Sequence, residues 1–248
     1  MSNDKVYIHE FIDIIGPNRL KYMHHMTANW CPEARKERRQ LCFGVWGTVG
    51  STGRWPEVVN LWEIDGWEGL AHDFEHELAN RSMQDPVLAE WWQAAAAFRS
   101  GGFDRIVVPA SWSPTIGELN ERGVCGAVYA HEVVSVPPGK SLQYLNAVAD
   151  HAVELFSEYK ATAVGAFRTA MRSDDEAIVI WAFPSFDSAM HFEASIGGIS
   201  DERLNVWSRT QRDFGAKVQR TLLVDAPLSP LRIGRQPEVA DRLPLEQV

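Results

Sequence analysis

The chain has 248 residues, 45% of them hydrophobic and 23% charged, enough apolar material to bury a core in one large domain or two small ones. Its formal net charge of −9, from 24 basic and 33 acidic residues, argues against a nucleic-acid binder; the one dense basic run, Arg35 to Arg39, reads as the capped and solvated end of a helix. Three cysteines (Cys31, Cys42, Cys125) without paired spacing make neither a disulfide framework nor a zinc site. No apolar run approaches the ~20 residues that span a membrane. The start lacks the basic-then-apolar pattern of a signal peptide, so a cytoplasmic protein is expected.

In chain order the first half reads strand, helix, strand, strand, helix, helix, strand. The strands fall at about 5–13, 41–49, 57–65 and 103–109, rich in Val, Ile, Phe and Trp. A helix over about 17–31 places Leu20, Met23, Met26, Thr27 and Trp30 on one face. A helix over about 67–80 buries Leu70, Phe74 and Leu78. Another starts with Asp85 as N-cap and Pro86 in its first turn, and buries Val87, Leu88, Trp91, Ala95 and Phe98. The stretch 111–123 reads as a linker.

The second half echoes the first. Val6-Tyr7-Ile8-His9-Glu10 returns as Val128-Tyr129-Ala130-His131-Glu132; Gly44-Val45-Trp46 as Gly165-Ala166-Phe167; Val59-Asn60-Leu61-Trp62 as Ile178-Val179-Ile180-Trp181. The signals keep their order, which points to duplication. The equivalent first helix carries Leu142, Leu145, Val148, Ala149, Ala152 and Phe156, and a later helix buries Leu204, Trp207 and Phe214. Each copy has the order βαββαβ of the ferredoxin-like split motif, an antiparallel sheet with helices on one face. Two open sheet faces in one chain can stack. The expected architecture is therefore α+β: tandem ferredoxin-like repeats forming an intramolecular α+β barrel, with halves at 1–110 and 124–226 and an arm or frayed tail from 227 to 248.

The run Val6-Tyr7-x-His9-Glu10, then Gly44-Val45-Trp46, Val58-Val59-Asn60-Leu61-Trp62, Asp85-Pro86 before a Trp, and Val107-Val108-Pro109-Ala110 resembles the NIPSNAP family of the dimeric α+β barrel superfamily, in two copies. The family commonly has a His before the Leu-Trp pair, where this chain has Asn60. The resemblance implies the fold more than the function, because the superfamily spans cofactor-free monooxygenases, muconolactone isomerase, haem enzymes and proteins without known activity.

Several residue groups are chemical candidates. His72-Asp73-Phe74-Glu75-His76 matches a zinc-protease pattern, but the wheel sets both His opposite Leu70, Phe74 and Leu78, so they are expected exposed and metal-free. His24 sits at the edge of the buried stripe and can line a sheet–helix pocket; His25 is placed on the outer face. Tyr7, His9 and Phe11 share one strand face, and Ile8, Glu10 and Ile12 the other. Imidazole titrates near neutrality and suits acid–base work. Arg168 and Arg172 share a strand face and can meet a substrate carboxylate. Gly47 to Gly53 lacks the Gly-Lys-Ser/Thr ending of a phosphate loop and reads as a hairpin.

These residues lead to a small-molecule enzyme acting on a hydrophobic or aromatic carbonyl compound by cofactor-independent acid–base chemistry, of isomerase, lyase or cofactor-free monooxygenase type. His24, His9 and Tyr7 are the expected catalytic residues, and Trp46, Asn60, Trp62, Trp91 and Arg168 the substrate-binding ones. No cofactor and no metal is expected; the alternative is a haem or hydrophobic-ligand binding protein without catalysis, with an axial His. The expected partner is a small hydrophobic substrate, with a homo-oligomer allowed and neither nucleic acid nor membrane.

Overall fold

The computed structural model describes residues 3–198 and 201–248. Eight strands, all paired antiparallel, close into a barrel: β1 (Val6–Ile14), β2 (Leu41–Thr48), β3 (Glu57–Ile64), β4 (Arg99–Pro109), β5 (Val128–Ser135), β6 (Thr162–Thr169), β7 (Glu176–Phe183) and β8 (Lys217–Asp225), in the order β1-β3-β2-β8-β5-β7-β6-β4. The strand β1 lies between β3 and β4, and β5 lies between β7 and β8. Two short seams of three residue pairs each, β2 to β8 and β4 to β6, join the halves.

Strand alternation divides the apolar residues between two layers. Tyr7, Phe43, Trp46, Leu61, Tyr129 and Phe167 point inward and fill the barrel. Ile12, Val45, Val58 and Trp62 point outward under the helices of the first half, and Val134, Val179 and Trp181 under those of the second. At Gly44 and Gly165 the register shifts, and a Cβ at either position would collide with the ring two residues on, Trp46 or Phe167. Absence of a side chain there lets each ring fold back over its own strand.

The outer helices are α1 (Arg19–His24), which runs through a π-turn (His25–Trp30) into α2 (Cys31–Arg38), then α3 (Gly66–Leu78), α4 (Pro86–Ala95), α5 (Ile116–Glu121), α6 (Ser141–Ala147), which runs through another π-turn (Val148–Ala152) into α7 (Val153–Ser157), α8 (Phe186–Gly197), α9 (Glu202–Asp213) and α10 (Pro230–Ile233). Among the described residues, no helix is long and apolar enough to cross a membrane.

Two wheel assignments on the first helix change. Its buried side is Tyr22, Met23, Met26, Thr27 and Trp30, with His25 buried as well, while Leu20, in the first turn ahead of the π-turn, is exposed. Leu142 is exposed in the same way at the start of α6. On α3 the buried residues are Leu70 and Asp73, while Phe74 and Leu78 are exposed, because Asp73 turns inward to meet Arg38. Val87 is exposed on α4, and β4 begins at Arg99 rather than 103. Arg38, at the end of the basic run, is buried and bonded to Asp73 (2.9 Å), Glu77 and Asp85 (3.2 Å each) rather than solvated.

The stretch 111–123 contains α5, capped by Thr115 and Glu118, whose Ile116 and Leu119 join the barrel interior with Leu231 of α10. Beyond α10 the tail lies on the first half. Gln236 bonds both the N–H and the carbonyl of Cys42, and Arg242 bonds the carbonyls of Ala28 and Asn29 and the Glu33 carboxylate.

Candidate functional site

A cavity of about 530 Å³ lies between the outer sheet face of the first half and its helices. That size suits a small organic ligand. Its floor follows from strand register. Asp104 of β4, Glu10 of β1 and Asn60 of β3 are direct cross-strand partners and form one row; Ile106, Ile8 and Trp62 form the next. All six point outward. Met26 and Trp30 from the π-turn and Leu88, Trp91 and Trp92 from α4 form an apolar roof.

Glu10 is the chemical centre of this floor. Its Oε2 accepts two hydrogen bonds, from Asn60 Nδ2 and Trp62 Nε1, each 2.9 Å. Among the described residues its Oε1 accepts none, and the residue lines the cavity. Burial, and after it the neighbouring Asp104 carboxylate, pushes Glu10 up to about 7; the Trp62 and Asn60 donors and the Arg99 charge pull the other way. Asp104 is also raised by burial and lowered by Arg99. Two carboxyl groups directly opposite on adjacent strands resist ionising together, so the pair holds a proton near neutrality that a lone surface carboxylate would have lost.

The supports are local. Asn60 Nδ2 also donates to Tyr22 Oη (3.1 Å), which ties the floor to α1. His25 stacks on Trp91 (ring centroids 4.8 Å, planes 5° apart). Its Nε2–H donates to the Trp91 carbonyl (3.1 Å), its Nδ1 accepts from Asn29 (2.9 Å), and Trp91 Nε1–H donates to the His25 carbonyl (3.2 Å). With both ring nitrogens engaged and its pKa lowered by burial, His25 is a neutral clamp on the cavity roof.

The expected site residues are scattered. Trp62 and Trp91 line the cavity, and Asn60 sits behind Glu10. Tyr7, His9 and Trp46 do not reach it, because their strand face is the barrel interior. Tyr7 Oη donates to Glu63 (2.9 Å) and accepts from Asn3, and burial pushes its phenol far up, so it keeps its proton. His9 and His131 stack at the barrel centre with Nε2 to Nε2 at 3.0 Å; burial holds His9 well below its usual value and His131 at about 3. They are fully enclosed and neutral, which removes His9 as an acid–base group for the cavity. Trp46 packs on Tyr129.

His24 lies under the tail, where Leu243 N–H donates to its Nε2 (3.1 Å), away from the cavity. Arg168 pairs with Asp174 (3.4 Å) over a separate shallow depression beside Lys5 and Trp67; Arg172 reaches the cavity rim. His72 is exposed and His76 half-buried, 3.5 Å from Asp85. Among the described residues no group of three or more His, Cys, Asp or Glu could hold a metal. No histidine lines the cavity, so its donor set does not fit a haem held by an axial His.

Glu10, the residue that sequence reasoning missed, left a signal: a carboxylate between Ile8 and Ile12 on a strand face that is otherwise apolar. A buried polar group in such a place calls for a partner or a task.

No family model matches the sequence, and no curated protein matches it. Solved structures do resemble the fold. An anthrone oxidase-like protein is 12% identical, with 90% of this chain and 94% of that one covered, at a TM-score of 0.56. A candidate monooxygenase from Lactobacillus acidophilus NCFM is 7% identical, with 90% and 97% covered, at 0.55. A NIPSNAP-like domain protein from Burkholderia xenovorans is 17% identical over 45% of this chain and 90% of its own, but its TM-score of 0.34 carries no argument about family. At these identities the likeness concerns fold alone. The chain shares the fold of the first two structures, an α+β barrel of eight antiparallel strands closed within one polypeptide.

Proposed function

We propose that the protein is a small-molecule enzyme that moves a proton on a hydrophobic, aromatic carbonyl compound bound in the first-half cavity, with Glu10 as the base. One observation carries this reading: a carboxylate held through one oxygen by Asn60 and Trp62, raised to about 7, with its other oxygen free beneath a tryptophan roof. A base of that strength is half-ionised at neutral pH and still basic enough to take a proton.

In the step, Glu10 Oε1 takes a proton from the carbon next to the carbonyl. The C–H electron pair moves into the carbonyl, leaving an enolate and a neutral Glu10. Return of the same proton to a different carbon gives isomerisation. The cofactor-free oxygenase branch starts from the same carbanion and needs dioxygen as co-reactant. The apolar roof lowers the dielectric on one side of the base, so its charge is screened less than in bulk water.

The neighbours' names as an anthrone oxidase-like protein and a candidate monooxygenase are compatible with a small aromatic substrate but supply only the fold. We also infer that the chain arose as two tandem βαββαβ copies, because the two runs of four strands share one pairing order and both first helices carry a π-turn at the same place.

The test is deuterium exchange at the acidic carbon of 2-tetralone in D₂O, followed by proton NMR. The wild-type protein is expected to accelerate exchange, with a rate rising through pH 7, and Glu10→Gln to lose about 10²–10⁴ of it. No acceleration by the wild-type protein, with 2-tetralone bound, would leave a binding protein and end the catalytic reading.

A further inference from the structure

Four arginines line the cavity, and three already have carboxylate partners. Arg38 is surrounded by Asp73, Glu77 and Asp85. Arg105 pairs with Glu176, and Arg172 lies 3.8 Å from the same Glu176. Arg99, the first residue of β4, differs. Its guanidinium sits over the Trp92 ring, 3.9 Å from the centroid. Among the described residues it has neither a side-chain hydrogen bond nor an ion pair within 4.0 Å, though Glu10 and Asp104 both feel its charge at longer range.

A guanidinium carries five N–H donors in a planar fork and keeps its charge at any working pH. Contact with an indole face holds the group in place while leaving those donors available. An arginine held this way, half-buried at the wall of a cavity with an apolar roof, has the features of a receptor for an anionic oxygen.

We propose that Arg99 is the anion-binding residue of this cavity, taking an anionic oxygen carried on a flat apolar ligand whose body rests under Trp30, Trp91 and Leu88. The proposal rests on the cavity assigned above and names the chemistry of its ligand. The anionic oxygen has two sources. It is either a carboxylate that the ligand already bears, or the enolate oxygen that forms as Glu10 takes a proton. In the second case the charge of Glu10 passes to the ligand: Glu10 becomes neutral as the ligand becomes negative, and the total negative charge near Arg99 is unchanged. Such a cation, fixed before the reaction, lowers the cost of the developing charge.

The experiment uses three probes with the full chain, read by quenching of tryptophan fluorescence: 2-naphthoate, its neutral isostere 2-naphthamide, and benzoylacetone, whose enolate has its own absorption band. If the source is a standing carboxylate, 2-naphthoate binds at least ~10-fold tighter than 2-naphthamide. If it is an enolate, the two naphthalenes bind alike, and the protein raises the enolate band of benzoylacetone at constant pH. In both cases Arg99→Gln removes the anion effect by about tenfold and leaves 2-naphthamide within twofold, and Arg99→Lys restores part of it. Loss of amide and anion binding together in Arg99→Gln, or no preference of the wild-type protein for either anion, would overturn the proposal. Glu10→Gln separates the two readings. Naphthoate binding through Arg99 without any 2-tetralone exchange defeats the catalytic reading alone. Exchange and 2-naphthoate binding that both survive Arg99→Gln intact defeat the present proposal alone.

Discussion

Glu10 and Glu132 occupy corresponding places in the two halves, each four residues into a β-strand that begins Val-Tyr, each pointing outward under helices. Their fates differ because of one neighbour on each side. Glu10 is flanked by Asp104 and Asn60; Glu132 is flanked by Arg220 and Val179. Arg220 bonds Glu132 Oε1 through Nε and Nη2 (2.9 and 2.6 Å), and Glu193 of α8 closes its other side. Phe156, Phe192 and Trp181 fill the space above, with ring centroids 4.6–4.8 Å from Phe156. In the second half the acid is a neutralised packing element. In the first half it is a raised carboxyl under an open cavity. A strand position thus holds a raised, cavity-lining carboxyl or a structural ion pair according to the charge of its cross-strand partner.

The largest expected effects separate the two acids by role. Glu10→Gln is expected to cost about 10²–10⁴ in 2-tetralone exchange, while Glu132→Gln leaves the rate per folded molecule unchanged. In stability the order reverses. Glu132→Gln leaves the largely buried Arg220 with only Glu193, and breaking a pair of this kind costs about 3–5 kcal/mol, measurable by urea unfolding. Equal loss of exchange in both variants would erase the distinction between the halves.

Next in size is the acid limb of stability, which belongs to the interior that the halves share. His9 and His131 have folded values below the unfolded value near 6.5. Their contribution is therefore complete above about 6.5 and lost as pH falls toward about 3, because the unfolded chain takes up protons that the barrel refuses. Across that window the pair lowers the unfolding free energy by several kcal/mol, against an opposing gain from the raised carboxyls of Glu10 and Asp225. A His131→Leu variant should show a shallower fall, whatever its stability at pH 8. An unchanged slope would show that the pair does not govern acid stability.

How far the sequence discloses this arrangement depends on the element. The barrel was legible, since strand alternation and the recurring Val-Tyr-x-His-Glu set eight strands in order. The helix faces were less so: Leu20 is exposed in the first turn, and His25 is buried because Trp91 of α4 stacks on its ring. The site was half legible. Trp62, Trp91 and Asn60 were among the expected residues, but His9 and Tyr7 face the interior, which alternation cannot distinguish from a helix-covered face when both are buried. His24 was lost to the tail, whose contacts are polar and leave no period. Glu10 was hidden because its raised pKa comes from burial under distant helices and then from Asp104, which lies 94 positions away in the chain and beside it in the sheet.

A smaller effect sharpens the role of that neighbour. Asp104→Asn removes the facing charge, so Glu10 falls from about 7 and the midpoint of the exchange profile moves to lower pH. Asn60→Val, which installs the residue found at the matching place in the second half, removes a donor and moves the midpoint upward. Shifts of the same sign in both variants would contradict the assignment of Glu10 as the titrating base.

The most direct measurement is the unfolding free energy at pH 8 of Glu10→Gln beside Glu132→Gln. The folded value of Glu10 lies above its unfolded value, so its ionisation destabilises the fold as pH rises through about 7. Glutamine keeps an oxygen acceptor without the charge. Glu10→Gln is expected to stabilise the protein by about 1–2 kcal/mol at pH 8, with the gain fading as pH falls from about 7 toward the unfolded value near 4.5, while Glu132→Gln destabilises it. Destabilisation at pH 8 in both variants would mean that Glu10 is a structural acid like its counterpart, and the account of the cavity as a reactive site would fall.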